Sequence, residues 1–132
     1  MKRILFLSML MMAAACTRYD IDEILVSRND ISLTWKGEEQ FVYEPQTCQI
    51  GFNPVKGEFR AQADNLSSWF VMDFDTVPSA EGEVARADIS WTGATDTRSM
   101  KGLEFQVRKV SGDGMIWLWC KSAKIGVTIR KL

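Results

Sequence analysis

Three long side chains near the end of the sequence are the first candidates for binding chemistry. Met115, Trp117 and Trp119 occupy alternate positions of the run MIWLWC, so they share one face if this run is a β-strand. Indole rings stack on other flat groups, including sugar rings, and tryptophan is enriched at protein interfaces. If the intervening residues face the core, the three side chains form a platform for a glycan or a protein partner. A central strand that is buried on both faces is the alternative interpretation.

Trp69 is a second candidate contact residue, because it shares strand parity with Asp73 and Asp75. An indole beside two carboxylates suits sugar binding or a weak Ca²⁺ site, whereas exposed carboxylates often serve only to keep a sheet edge soluble. The catalytic carboxylates of glycosidases flank the scissile bond from opposite sides of a cleft, and neighbours on one strand face do not. We therefore expect binding rather than catalysis at this position.

The composition excludes most catalytic schemes. The sequence contains no His, which removes imidazole general bases, Ser-His-Asp and Cys-His pairs, and imidazole metal sites. It also contains no phosphate-binding loop, CxxC pair, nucleotide fingerprint or nucleophile elbow. A net charge of -1 and a pI near 5.5 provide no basic surface for nucleic acid. We predict a protein that is not an enzyme, uses no cofactor or metal and does not bind nucleic acid.

Two of the three cysteines, Cys48 and Cys120, lie on the face of their predicted strands that carries the apolar residues. In an oxidising compartment, a disulfide between them would close a loop of about 70 residues and stabilise the fold by about 3–5 kcal/mol. Two buried, reduced thiols that pack as small apolar side chains fit the same pattern. Both interpretations stay open, because disulfide formation depends on a geometry that sequence spacing does not define.

The N-terminus has the pattern of an export signal. A positively charged start precedes an apolar run over 4–12, which is too short to span a hydrocarbon core of about 30 Å at about 1.5 Å per helical residue. The three alanines before Cys16 resemble the signal of bacterial lipoproteins, in which that cysteine is lipidated and becomes the first residue of the mature chain. The resemblance implies a signal peptide over 1–15 and a lipid anchor at Cys16. An ordinary signal peptide followed by an incidental cysteine is the alternative.

The next segment, 16–23, is expected to be the lipidated cysteine and a polar, acidic tether. It resembles the acidic stretch that directs some Bacteroidetes lipoproteins to the cell surface. This resemblance implies an outer-membrane lipoprotein of the cell envelope, displayed on the surface or on the periplasmic face. No later apolar run is long enough to cross a membrane, so we predict a protein that is anchored by lipid and folds as one domain over 24–132.

Alternation of apolar and polar residues with period two dominates this domain, and helical spacing is nearly absent. Turn-forming sequences separate the runs, and two longer loops are predicted over 76–83 and 92–102. Eight or nine short strands with such spacing are typical of an antiparallel sandwich or a small barrel. The alternating runs cover 31–35, 41–43, 48–52, 59–63, 69–74, 85–91, 103–107, 115–120 and 125–129.

Short pieces of the domain resemble BACON-type and related immunoglobulin-like domains of Bacteroidetes surface lipoproteins. They are Ile31-Ser32-Leu33-Thr34-Trp35 with the following turn Lys36-Gly37-Glu38, the run Ser67-Ser68-Trp69-Phe70-Val71, and Thr97-Arg98-Ser99 ahead of 103–107. The resemblance implies an all-β fold that consists of a single antiparallel immunoglobulin-like β-sandwich. It implies no particular ligand, because the family has no motif that fixes one.

A short motif suggests a covalent modification. Asp75-Thr76-Val77 resembles the Asp-Thr/Ser-apolar acceptor for O-glycosylation in Bacteroidetes. The resemblance implies that Thr76, at the start of a predicted loop, is a glycan acceptor.

Together, these patterns predict a non-catalytic, lipid-anchored binding module of the cell envelope that acts in adhesion or carbohydrate interaction. Its expected contact residues are Trp117, Trp119, Met115 and Trp69, and its expected partners are the membrane and either a glycan or an envelope protein. The alternative is a structural or accessory subunit, or a spacer, of an envelope protein complex, in which the tryptophan-containing strand packs on a partner chain.

Overall fold

The computed structural model describes residues 30–65 and 67–130. The predicted signal peptide over 1–15, the lipidation site Cys16 and the tether over 16–23 lie outside the described residues. The described chain forms nine strands and a three-residue 3-10 turn, Pro45–Thr47. The strands are β1 (Ile31–Trp35), β2 (Glu38–Tyr43), β3 (Cys48–Asn53), β4 (Glu58–Ala63), β5 (Trp69–Phe74), β6 (Val84–Thr92), β7 (Thr97–Val110), β8 (Met115–Cys120) and β9 (Ile125–Arg130).

These strands form one antiparallel sheet in the order β2-β1-β9-β8-β7-β6-β5-β4-β3. From β3 to β9, each strand pairs with the next one along the chain, and β1 then pairs with β9. Short connections favour this order, because a tight turn joins antiparallel neighbours. At the β1–β2 turn, Lys36 and Gly37 both have positive φ, 53° and 81°, as a two-residue hairpin turn requires.

The sheet curls until strands from its two halves pack together. Trp35 on β1 contacts Trp91 on β6 with ring centroids 5.9 Å apart, and Phe41 on β2 contacts Phe70 on β5 at 5.2 Å. The registers of β1–β2, β6–β7 and β7–β8 each contain an irregularity, and such bulges bend strands and increase their twist. The result is a barrel-like sheet that encloses one apolar core.

Gln40 joins β2 to the turn between β6 and β7. Its buried side chain accepts the backbone N–H groups of Thr95 and Asp96 through Oε1, both at 3.2 Å, and donates through Nε2 to the Thr95 hydroxyl at 2.6 Å. Its backbone carbonyl accepts the N–H of Ala94 at 3.0 Å. Gly93 permits this close approach, because a Cβ at that position would lie 2.6 Å from the Gln40 Cβ. We call this set of contacts the Gln40 clamp.

The all-β prediction is confirmed. The immunoglobulin-like sandwich is not confirmed, because the strands pair as one continuous barrel-like sheet, and alternation identifies strands without identifying their partners. The prediction of a long loop over 92–102 is wrong, because β6 extends to Thr92 and β7 already starts at Thr97. The first residues of β7 are largely exposed, so they lack the apolar alternation that would have revealed a strand.

Candidate functional site

Two regions of the outer surface contain the tryptophans that the sequence singles out. We call the outer face of β3, β4 and β5 the open wall, and it contains Trp69. We call the outer face of β8, β9 and β1 the covered wall, and it contains Trp117 and Trp119. Residues of the opposite parity, such as Phe70 on β5 and Leu118 on β8, are fully buried in the core, and this fixes the outward position of the three tryptophans.

The predicted platform on β8 is buried. Trp117 and Trp119 are 4 % and 1 % exposed, and Met115 is 7 % exposed. Every residue of β8 is buried, on both faces of the strand. The three side chains therefore form no open platform in this structure, and the alternative interpretation, a strand buried on both faces, describes them.

The neighbours of β8 extend the covered wall with small side chains. Trp119 lies opposite Gly126 on β9, and Trp117 lies opposite Thr128. Such small cross-strand partners leave room for indole rings beside them. On β1, Ser32 and Thr34 occupy the same face and are also buried. The covered wall combines large indoles with small side chains, and all of these residues are buried.

The open wall places Trp69 in a row of hydrogen-bonding side chains. The half-buried Trp69 lies opposite Gln62 on β4 and Thr92 on β6. Gln62 in turn lies opposite Gln49 on the exposed face of β3. One indole, two amides and one hydroxyl therefore follow one another across four neighbouring strands.

A surface groove of about 390 Å³ runs beside this row. Gly51 helps to form it, because the absence of a side chain leaves space next to Arg60; a Cβ at Gly51 would lie 3.7 Å from the Arg60 Cγ. Arg60 is exposed, and its Nε lies 3.4 Å from the Glu58 carboxylate. The groove is lined by Gln49, Ile50, Gly51, Arg60, Ala61, Gln62, Trp69 and Val71.

This combination of side chains is suited to non-covalent recognition of a polyhydroxylated ligand. An accessible indole face provides a flat apolar surface with a π-system. The amides of Gln49 and Gln62 each have donors and an acceptor, and the Arg60 guanidinium has only donors. Together they match the alternating apolar faces and hydroxyl groups of a sugar ring, and none of them supplies a nucleophile paired with a base.

The carboxylates near Trp69 are arranged differently from a Ca²⁺ site. Asp73 lies opposite Glu58 on β4 and Asp88 on β6, so three carboxylates follow one another across the wall. Asp75 follows the end of β5 and is exposed. Within residues 30–65 and 67–130, no group of three or more Cys, Asp or Glu side chains is placed to hold a metal ion. These carboxylates form an acidic border beside the groove.

Cys48 and Cys120 are both buried free thiols in this structure, as in the second of the two interpretations that the sequence leaves open. Cys48 on β3 contacts the carbonyl oxygens of Glu44 at 3.6 Å and Pro45 at 3.8 Å through its Sγ. Burial, together with the negative charge of Asp64, raises the pKa of the Cys48 thiol to about 11. The Sγ of Cys120 lies 3.5 Å from the Ser122 hydroxyl. Cys48 is therefore an un-ionised, weakly nucleophilic group at neutral pH.

Thr76 lies on the exposed surface after β5, between Asp75 and Val77. The N–H of Asp75 donates to the carbonyl oxygen of Arg86 at 3.0 Å, which ties the start of this loop to β6. The position is accessible to a modifying enzyme, and glycosylation of Thr76 stays a prediction.

Sequence reasoning missed the amide row and the groove, although a signal for them was present. The turn between Asn53 and Glu58 sets the register of the β3–β4 hairpin, in which Asn53 pairs with Glu58. Four residues further from the turn on each strand, this register places Gln49 opposite Gln62. The position of Trp69 beside Gln62 depends on a second register, between β4 and β5, and the sequence gives no tight turn that defines it.

Within the described ranges, no helix is long and apolar enough to span a membrane. Comparison of the chain with protein-family models, with curated proteins and with solved structures finds no match.

Proposed function

We propose that this chain is a lipid-anchored protein of the cell envelope that binds carbohydrate without catalysis, and that the open wall around Trp69 is its binding site. The observation that supports the proposal most directly is the accessible Trp69 indole, which lies in register with Gln62 and Gln49 beside a groove. Sugar recognition needs one flat apolar surface and several hydrogen-bonding groups close to it, and this wall brings both together.

The proposed contact residues differ from those expected on the sequence alone. Trp69 remains a proposed contact residue, while Met115, Trp117 and Trp119 are assigned to packing because they are buried. The proposed hydrogen-bonding residues are Gln49, Gln62 and Arg60, and all three belong to the hairpin β3–β4.

Anchoring is proposed at Cys16, from the run of three alanines before this cysteine and the apolar stretch that precedes them. Several acyl chains on one cysteine hold a protein at a membrane more firmly than a single myristoyl chain does. The protein is proposed to be an outer-membrane lipoprotein that displays its domain at the periplasmic face or at the cell surface. Kinship with BACON-type and immunoglobulin-like domains stays a prediction, and the proposed binding site does not depend on it.

A glycan array probed with the Cys16→Ser chain tests the binding site. We expect Trp69→Ala to weaken binding of any selected glycan at least tenfold, because loss of one buried aromatic contact at an interface costs about 2 kcal/mol. Gln62→Ala should weaken it less, by about 1 kcal/mol, as expected for one hydrogen bond. The matched control is Val84→Ala, which removes an exposed apolar side chain outside the groove.

Two results would overturn the proposed site. One is a glycan that binds Trp69→Ala as tightly as the parent chain, and the other is the absence of binding to every neutral and acidic glycan tested. Recovery of one envelope protein in stoichiometric amount, with no glycan binding, would favour the accessory-subunit alternative. Mass spectrometry and membrane fractionation of the native protein, compared with Cys16→Ser, test the anchor separately.

A further inference from the structure

The two terminal strands of the sheet, β2 and β3, are protected to different degrees. The strand β2 begins with Glu38 and Glu39, and the Gln40 clamp engages one backbone carbonyl on its outer side, that of Gln40. The strand β3 has the sequence CQIGFN, which contains no charged residue and no proline. Among the described strands, β3 pairs only with β4. Sheet edges normally carry charges, prolines or covering loops that prevent pairing with another chain. The strand β3 has neither a charged residue nor a proline.

The side chains of β3 are also incompletely buried. Ile50 and Phe52 belong to the inward parity and pack against the core, but both retain partial exposure. Gln49, Gly51 and Asn53 alternate with them and are exposed on the open wall. The strand therefore presents an apolar row and an amide row at an edge where, within 30–65 and 67–130, no further strand pairs.

From this arrangement we infer that two copies of the chain pair edge to edge through β3, in antiparallel orientation about a two-fold axis at Gly51. This axis lies perpendicular to the sheet, so inward residues stay inward in both copies. It places Ile50 opposite Phe52 of the second copy, and Gln49 opposite Asn53 of the second copy. Backbone hydrogen bonds then extend the sheet from one barrel into the other.

The sequence of β3 suits a second copy because the residues that the two-fold axis brings together are uncharged and chemically compatible. Each half-exposed apolar residue meets the other one, and each exposed amide meets an amide. The Oδ1 of Asn53 already accepts the N–H groups of Val55 and Lys56, both at 3.1 Å, which leaves its Nδ2 to donate to Gln49. The pairing brings no like charges into direct opposition, since β3 has no charged residue.

The pairing would also extend the open wall. Asn53 of the second copy comes to lie beside Gln49 and adds one amide to the row that contains Gln62 and Trp69. The inference does not rest on carbohydrate binding, because it follows from the edge of β3 at which no other described strand pairs. A single strand pair buries little surface compared with a standard interface, so we expect a weak, reversible dimer that a shared membrane anchor would favour by raising the local concentration.

Sedimentation equilibrium of the Cys16→Ser chain over a wide concentration range tests the dimer. The weight-average mass should rise towards twice the monomer mass, and Gly51→Lys should raise the dissociation constant at least tenfold by opposing two cations at the two-fold axis. The Gly51 site tolerates a side chain, because an added Cβ would make only an ordinary contact at 3.7 Å. The matched control, Glu39→Lys on the other terminal strand, should leave the equilibrium unchanged.

Cysteine scanning tests the register in a background without the native thiols (Cys16→Ser, Cys48→Ser, Cys120→Ser). Under mild oxidation, Gly51→Cys should form a reducible dimer, because only the residue on the axis faces itself. Gln49→Cys and Asn53→Cys should cross-link when the two variants are mixed and not when either is alone. A chain that stays monomeric at every concentration, a dimer that Gly51→Lys leaves intact, or self-cross-linking of Gln49→Cys would each overturn the inference.

Discussion

The open wall and the covered wall are built from the same strand pattern, yet they expose their tryptophans very differently. On the covered wall, Trp119 lies beside Gly126 in the middle of the sheet order and is 1 % exposed. On the open wall, Trp69 lies beside Gln62, two strands from the free edge, and is half-buried. Strand parity places both residues on the outer surface. Strand parity alone therefore does not decide which of the two can meet a ligand; their exposure does.

This comparison shows why a count of aromatic residues on one strand face is an incomplete guide to a binding site. The three-residue set Met115, Trp117 and Trp119 is the more conspicuous pattern in the sequence, and it is buried. Trp69 is a single residue, but amide and guanidinium groups surround it. Recognition of a hydroxylated ligand needs those polar neighbours, which only the register of β3, β4 and β5 reveals.

Removal of one indole from each wall should give the largest difference in stability between the two walls. We expect Trp119→Ala to lower the free energy of unfolding by about 3–5 kcal/mol, because it empties a buried site. Trp69→Ala should lower it by only about 1 kcal/mol, since the side chain is partly solvated in the folded state. Urea unfolding followed by circular dichroism measures both values. Equal losses for the two variants would contradict the distinction between the walls.

The Gln40 clamp, at the β2 end of the sheet, provides the next test. Gly93→Ala should destabilise the fold by about 1–3 kcal/mol, because the added Cβ would lie 2.6 Å from the Gln40 side chain and 2.7 Å from its carbonyl oxygen. Gly112→Ala is the matched control, since an added Cβ there meets no atom within 4 Å. Thermal unfolding of the two variants compares them. A neutral effect of Gly93→Ala would show that the Gln40 clamp does not hold β2 in place.

The acidic border of the open wall allows a smaller, stabilising change. Asp73 lies between Glu58 and Asp88, and like charges directly opposite one another destabilise a sheet. Asp73→Thr should therefore raise the free energy of unfolding by about 0.5 kcal/mol at low salt, and the gain should shrink as salt screens the charges. Asp75→Thr, outside the strand pairing, is the control. A loss of stability in Asp73→Thr at low salt would argue against repulsion in this row.

Ionisation of Cys48 should have no effect on stability at neutral pH and a measurable one in alkali. Burial raises the pKa of this thiol from 9.0 to about 11, so the folded state retains a proton that the unfolded state loses. The stabilising contribution is complete below pH 9 and is lost as the pH rises through 11. The difference in unfolding free energy between the parent chain and Cys48→Ala should therefore decrease between pH 9 and 11. A constant difference over that range would mean that burial does not suppress ionisation.

The sequence was a good guide to strands and a poor guide to their partners. The alternation of residues such as Phe70, Met72 and Phe74 follows from a strand with one face in the core, so period two identifies it directly. The ring contact between Trp35 and Trp91 across the curled sheet joins residues far apart in the chain, and no local pattern encodes it. The same limit hid the Gln40 clamp, since a glutamine in a strand gives no sign that a distant turn will bind it.

The candidate site shows this limit again. Trp69 was predicted as a contact residue because it shares a strand face with the carboxylates of Asp73 and Asp75. Gln49 and Gly51 were not, because an amide and a glycine acquire a role only when Arg60 and Gln62 lie next to them. Strand parity likewise places Trp117 on the outer face of β8 without indicating that its side chain is only 4 % exposed.

Fluorescence quenching gives the most direct test of the claim that Trp69 is the accessible tryptophan and contacts the ligand. Iodide should quench one fraction of the tryptophan emission of the Cys16→Ser chain, and a saturating glycan chosen from the array should protect that fraction. In Trp69→Phe, both the quenching and the protection should disappear, whereas Trp119→Phe should retain them. Protection that persists in Trp69→Phe, or a bound glycan that leaves the quenching of Trp69 unchanged, would contradict the assignment of the open wall as the binding site.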